Sequence, residues 1–521
     1  MVHEIGTTAG ARRARCSLLR LLPRPSVAIA AIAVAVTTAA CVRDGTPEVG
    51  EVVLTVGYAV APERQDEVVA VLTGEGLFRT GSDGHLEPLL AESWTIEDAG
   101  TTILINLRQD VSFHDGSTMT AADVKASLDR VRGDPRRPLL GDIESIEAQG
   151  THSVSIRLAH PSAQLVLFEL GVRIRKRAGA SRAVGTGPFQ LVASGKNEDT
   201  TLRMNPYYHR GTPLLDEVHL KGYPTLRMAW AAMMRSELDL LYDVPITSRQ
   251  FVDADSTVRV SALESPYAFA LVFNTRRPPF DDPQLRVALS HAIDREAVIE
   301  SAFRGHASVA SGVWPNHWVY GGVNLQRRHD PKRADRLLTQ LGFERPSSID
   351  PGAGEHPGRL RFETLVGFDQ AHYERTALLL QRQLRLVGVE MEIDAKPFVE
   401  VGDQIATRPD SWDAVLLPVN TARNLTRLYT YWHSSGQLAV SGFTGADDAL
   451  SALRLSVTDV EIQAAASEVQ RILFEEAPAI FLATAEDARA VSVRFVVPSR
   501  PGLDVLETLW QWRVAAETSD N

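Results

Sequence analysis

Both cysteines of the chain, Cys16 and Cys41, lie in its first 41 residues, and 480 residues follow without another. A body of that size has no disulfide staple, no thiol nucleophile and no cysteine-bound metal cluster to organise it. It must hold together chiefly by apolar burial. It also exceeds the roughly 250–300 residues at which a single core stops growing, so at least two lobes are expected.

The stretch around the cysteines reads as export machinery. Arg12, Arg13, Arg15, Arg20 and Arg24 precede VAIAAIAVAV (27–36), an apolar run too short to span a bilayer but of signal-peptide length. TTAAC, ending at Cys41, resembles the bacterial lipoprotein processing site, with Thr38 where that motif more often has Leu. The resemblance implies a signal peptide over 1–40 and a lipid on Cys41; the alternative is an ordinary secretory signal with a chance cysteine. VRDGTPEVGE (42–51) then reads as a short tether, placing anchor and tether at 41–50. Removing 1–40 shifts the formal charge from -11 to -15, which speaks against nucleic-acid binding. No later apolar run is long enough to cross a membrane.

Strand and helix signals alternate along the remainder. EVVLTVGYAV (51–60), rich in β-branched residues, predicts a first strand. Ile103, Ile105 and Leu107 alternate with Leu104, Asn106 and Arg108, and Val154, Ile156 and Leu158 alternate with polar neighbours, giving two half-buried strands. Between them HDG turns the chain, and Thr120 with Asp123 forms a capping box for a helix faced by Val124, Leu128 and Val131. Asp330 and Pro331 start a helix that Gly342 ends, with Leu337, Leu338 and Leu341 inward. Farther on, Leu380, Leu384 and Val387 line another helix, and Gly388 leads into the alternating strand VEMEI. Thr458 and Glu461 make a second capping box before the strand-like APAIFLA. Helix followed directly by strand points to mixed α/β architecture. RIRKRAGASR (173–182) gathers Arg173, Arg175, Lys176, Arg177 and Arg182; it could attract an anion, but reads first as a basic turn facing solvent.

The densest chemistry lies in VFNTRRPPFDDPQLRVALSHAIDR (272–295). VFNT fits a strand end, and the prolines after it cannot continue a ladder. Asp282 followed by Pro283 starts a helix, Leu285, Ala288, Leu289, Ala292 and Ile293 share one face, and Asp294 caps the next helix. Most of these charges already have structural work.

At this point the sequence resembles the extracytoplasmic solute-binding proteins of ABC importers, the family 5 group that includes oligopeptide and dipeptide receptors. The segments that carry the resemblance occur in order: VSFHDGSTMTAADVKASLDRV (111–131), VGTGPFQL with LRMNPYYHRGTPLLDEV (184–218), residues 272–295, DPKRADRLLTQLGF (330–343), LLLQRQLRLVGVEMEI (378–393) and WDAVL (412–416). The resemblance implies a two-lobed α/β fold of the periplasmic-binding-protein type, with an additional subdomain in the first lobe. Transferred here, the first lobe takes 51–270 with the subdomain at about 90–184, the second lobe takes 271–479, and 480–521 returns to the first. VGTGPF suits a constrained turn or close packing; it lacks the spacing of a phosphate-binding loop.

The activity implied is noncovalent capture of a small polar solute, a peptide or peptide-like compound, and its delivery to an ABC permease. The resemblance further implies a monomer on the extracytoplasmic face of the membrane, held by the lipid on Cys41, with no cofactor and no catalysis. The cleft candidates are Tyr58, Asn420, Arg423, Tyr431 and Trp432. Peptide receptors of the family commonly place an acid after the WD strand to pair with the peptide's terminal amine, whereas LLPVNTARNLTRLY (416–429) has none. Asn420 can accept a hydrogen bond but cannot form that ion pair. A blocked peptide, a sugar-containing solute, an opine-like compound or an anion therefore competes with free peptides. For a nickel-chelate receptor, His114, His291, His306, His317 and His433 form no local metal motif. Two alternatives stand outside transport: a solute-sensing lipoprotein, and an extracellular hydrolase using His114/Asp115 or Ser290/His291/Asp294, whose adjacency in sequence does not establish catalytic geometry.

Overall fold

The β-branched run after the leader forms the strand Val53–Ala59, which pairs in parallel with Glu217–Tyr223 from Val53 against Glu217 to Ala59 against Tyr223. These strands belong to an eleven-stranded sheet that runs through both lobes of the computed structural model. The described residues are 51–516, apart from 60–61, 135–136, 179–181, 195–198, 315, 324, 346–357, 369–370, 422, 499 and 501. The expected leader, Cys41 and the tether at 42–50 lie outside them.

Two long antiparallel strands, Val258–Phe273 and Ala479–Ser492, join the lobes. Their first-lobe halves pair from Val258 against Ser492 to Glu264 against Glu486. The ladder breaks and resumes at Ala268 against Thr484. Pro266 sits in this break, where a residue without an N–H donor costs the ladder least. Beyond the break Tyr267–Phe273 also pairs with Ala414–Asn420, which continues in parallel to Leu360–Gly367 and on to Val389–Lys396. The switch of partners thus lies at Glu264–Ala268, ahead of the boundary expected near 270, and VFNT sits at the far end of the crossing. The apolar run Ala268–Phe273 begins only where the hinge ends, and Glu264, Ser265 and Pro266 mark the break itself.

The additional subdomain is a four-stranded antiparallel sheet of Ala91–Glu97, Thr102–Leu107, Ser153–Leu158 and Ile143–Gln149, the last two in that order across the sheet. The expected faces are its core: Ile103, Ile105, Val154 and Ile156 are fully buried. The helix Ala121–Asp129 carries the Thr120/Asp123 capping box and buries Val124 and Leu128. Gly185 and Gly187 return the chain past Leu72–Gly74 so closely that a Cβ on Gly187 would stand 2.5 Å from Leu72 O. Because that obstacle is backbone, Gly187→Ala is expected to cost about 3 kcal/mol of stability. Gly133→Ala, where a Cβ meets nothing within 4 Å, is the control in the same denaturant titration.

In the second lobe the crowded stretch is spent on structure. Asp282 accepts from Gln284 N at 2.8 Å, and Asp294 accepts from Ala297 N at 3.0 Å, so both cap helices. Leu285, Ala288, Leu289, Ala292 and Ile293 are all buried between the sheet and its helices. Arg286, also buried, donates to the carbonyls of Phe280, Asp281, Glu476 and Ala477. Asn274 Nδ2 donates to Pro409 O and Trp412 O, fastening the end of the crossing strand to the second lobe.

Candidate functional site

The registers show where the lobes can share a ligand. Val53–Ala59 runs parallel to Leu240–Leu241, which pairs antiparallel with Val491 and Ala490, so the C-terminal end of the first strand points toward the crossing. Ala414–Asn420 ends opposite Tyr267, at the same crossing. Ligands of α/β sheets lie outside the carboxyl ends of strands, and here two such ends face each other across the hinge.

Side chains from both lobes converge there. Arg423 follows the strand Ala414–Asn420, lies 5.0 Å over the Trp314 ring and donates to Gly502 O of the C-terminal return. Gly502, at φ +77, is required by this approach, since a Cβ would meet Ser82 and the Arg423 guanidinium. The Tyr431 hydroxyl meets the Asn420 backbone within electrostatic reach of Tyr267, and burial pushes its pKa up. Thr421 N donates to Pro266 O at 3.0 Å, fixing the Asn420 end of the strand to the hinge. Of the five cleft candidates, Asn420, Arg423 and Tyr431 therefore gather at the crossing. Tyr58 is fully buried in the first-lobe core with Leu54, Val56 and Leu72. Trp432 is 2% exposed and packs edge-to-face on Phe481 at 5.7 Å, inside the second-lobe core. The helix Thr426–Trp432 turns Trp432 inward while Tyr431 faces the hinge.

Other side chains at this place escaped sequence reading. Val172 and Ile174 are buried while Arg173 between them is exposed, so the basic run begins as an alternating extended segment rather than a loose turn. Both Arg173 and Arg175 lie against Gly74. The Glu507 carboxylate acts on Arg173 and on Arg423, linking the subdomain side to the second lobe. Desolvation pushes the Glu507 carboxyl up, against the pull of Arg79 and Arg423. Desolvation also pushes the Arg173 guanidinium down, aided by Arg175 and Arg137. Yet Arg173 and Glu507 are both solvent-accessible.

His317 supports the Arg423 backbone. It is 1% exposed, Nε2 lies 3.0 Å from Arg423 O, and a Cβ on Gly84 would strike its ring. Burial lowers its pKa to about 4, against the opposing pull of the Arg423 carbonyl. The unfolded chain, with the ordinary value of 6.5, therefore takes up the proton first. The stability it contributes is complete above pH 6.5 and is lost as the pH falls from there toward 4. At most about 3 kcal/mol is at stake. Chemical denaturation at pH 7 and pH 4.5 is expected to show a smaller acid loss for His317→Gln than for the wild type.

The side chains considered for hydrolysis are held apart by structural bonds. Ser290 Oγ accepts from Arg295, His291 Nδ1 lies 2.9 Å from Arg328 O, and Asp294 caps its helix. His114 Nε2 lies 3.1 Å from Gly187 O. Among the described residues no group of three His, Cys, Asp or Glu side chains could hold a metal ion.

Comparison with known proteins agrees with the two-lobed fold. Residues 85–438 match the model of the bacterial extracellular solute-binding proteins, family 5 middle region. The glutathione-binding protein GsiB of Pectobacterium atrosepticum is 26% identical over 467 residues, covering 85% of this chain and 88% of that protein. Among solved structures, NikA from Brucella suis in complex with Fe(III)-EDTA superposes with a TM-score of 0.76 at 20% identity, over 89% of this chain and 100% of NikA. NikZ from Campylobacter jejuni in complex with Ni(L-His) superposes with a TM-score of 0.73 at 22% identity, over 88% of this chain and 99% of NikZ. The chain belongs to family 5 of the bacterial extracellular solute-binding proteins, and is a non-catalytic extracytoplasmic receptor that delivers a small solute to an ABC permease.

Proposed function

We propose that the solute is a small peptide-like compound bearing at least one carboxylate, enclosed between Arg173 on the subdomain side and Arg423 on the second lobe. What supports this reading is the Glu507 carboxylate, which acts on both Arg173 and Arg423 and so places the two cations near one another beside the crossing. A guanidinium binds a carboxylate through two parallel hydrogen bonds, and low local dielectric strengthens both. Asn420, Tyr267 and Tyr431 supply neutral polar contacts at the hinge in place of the acid that a free peptide amine would need. The related protein named for glutathione binding supports a peptide-like solute with carboxylates. The mature chain is proposed to begin at a lipidated Cys41, which holds the receptor beside its permease.

Calorimetric titration with matched solutes tests the recognition directly. Glutathione and small acidic peptides are expected to bind, and their amidated counterparts to bind at least tenfold more weakly. Equal affinity for both forms would remove the carboxylate from the reading.

A further inference from the structure

The second lobe holds a pair of cations that solute capture does not use. Arg295 is 8% exposed; its Nε donates to Phe481 O at 2.7 Å, one amino nitrogen to Arg327 O at 3.2 Å, and the other to Ser290 Oγ at 2.9 Å. Arg327 lies 4.4 Å over the Phe474 ring and gives one hydrogen bond to Phe474 O. A guanidinium has five N–H donors, and among the described residues the other four of Arg327 find no protein acceptor. Both guanidiniums line one cavity of about 40 Å³, together with Ser290 and Gln470. A water molecule needs about 10–15 Å³ on this measure. The cavity therefore has room for a monatomic ion with one or two waters, and none for a peptide.

The charges around the cavity do not balance. Among the described residues neither guanidinium has a carboxylate within ion-pair distance. Glu475 acts on Arg327 from farther away, but its carboxylate is already held by Arg471. Arg333 adds another positive charge on the same side. Desolvation, reinforced by Arg327, lowers the Arg295 pKa to about 10, which leaves it protonated at neutral pH. Two like charges thus stand side by side within the lobe, an arrangement that is unfavourable without a counter-charge. The acceptors nearest to them, the carbonyls of Phe481, Arg327 and Phe474, are already taken up by the pair itself, and the cavity adds one donor. Ser290 Oγ accepts from Arg295, so its own hydroxyl proton is free for an anion.

We propose that this cavity binds chloride between Arg295 and Arg327, as a structural anion that stabilises the second lobe whether or not the solute is present. The test compares thermal unfolding of the purified protein in sodium chloride and in sodium gluconate at equal ionic strength. Chloride is expected to raise Tm saturably by about 1–2 °C, and Arg327→Gln to lose that increment. Because Arg327→Gln could fold poorly, wild-type crystals grown in bromide supply the second readout, an anomalous peak between the two guanidiniums. Identical unfolding in the two salts with no anomalous peak would overturn the proposal. Stabilisation by phosphate or sulfate in the absence of any chloride effect would overturn the halide assignment.

Discussion

Arg423→Met is expected to weaken binding of a carboxylate-bearing solute on the order of 100-fold, with the protein still folded. Arg423 and Arg173 both stand within reach of the Glu507 carboxylate at the crossing. An anion brought there loses its hydration, and a cation that faces it replaces that loss; removing the cation leaves the solute charge buried without a partner. Arg423 also bridges to Gly502 O and covers Trp314, so its loss alone could act through closure. Arg173→Met separates the two effects. Among the described residues Arg173 makes no side-chain hydrogen bond to the second lobe, while the Glu507 carboxylate acts on it and it lies against Gly74. If recognition is electrostatic, Arg173→Met weakens the same solutes and spares their amidated forms. If Arg423 acts only by holding the lobes together, Arg173→Met leaves affinity unchanged.

The second large effect is expected far from the solute. Asp142 of the subdomain, with its side chain 7% exposed, takes two hydrogen bonds from Arg454 of the second lobe and one from Ser162 Oγ at 2.8 Å. Nearby, Glu169 accepts from Thr426 Oγ1 at 2.6 Å in a fully buried contact and pairs with Arg137 at 3.4 Å. Gln164 Nε2 donates to Val457 O at 3.1 Å. These bonds cross from the subdomain to the second lobe. Breaking one partner of a buried pair costs about 3–5 kcal/mol, and if the lobes separate, that cost falls on closure rather than on the fold of either lobe. Arg454→Met is therefore expected to reduce apparent affinity tenfold or more, because affinity scales with the closed fraction. X-ray scattering is expected to show a larger radius of gyration without solute. Unchanged affinity and unchanged scattering would show that the subdomain contact is independent of closure.

Local structure was legible in the sequence wherever one residue does one job. Thr120 with Asp123, Thr458 with Glu461, and Asp282 before Pro283 all cap helices where expected, because a cap depends on neighbours within four residues. The alternating faces at 103–107 and 154–158 are buried for the same reason. Properties that depend on distant partners were harder to read. The hinge at Glu264–Ala268 is marked locally by Glu264, Ser265 and Pro266, but the switch of partner strands there depends on segments distant in sequence. Trp432 looked available as an aromatic platform, but Phe481, 49 residues later, takes its edge. Arg173 was read as part of a solvated basic turn. The period of two in VRIR was the available signal, since Val172 and Ile174 inward set Arg173 and Arg175 on the opposite side. Glu507 had no local signature; its position follows from the C-terminal return that brings Gly502 against Arg423.

Native mass spectrometry of the gently purified protein tests capture of a carboxylate-bearing solute most directly. The wild type is expected to retain a small molecule that released-ligand analysis identifies as an acidic, peptide-like compound, and Arg423→Met to lose it. A retained solute that is neutral or cationic, held equally by the wild type and by Arg423→Met, would contradict the account.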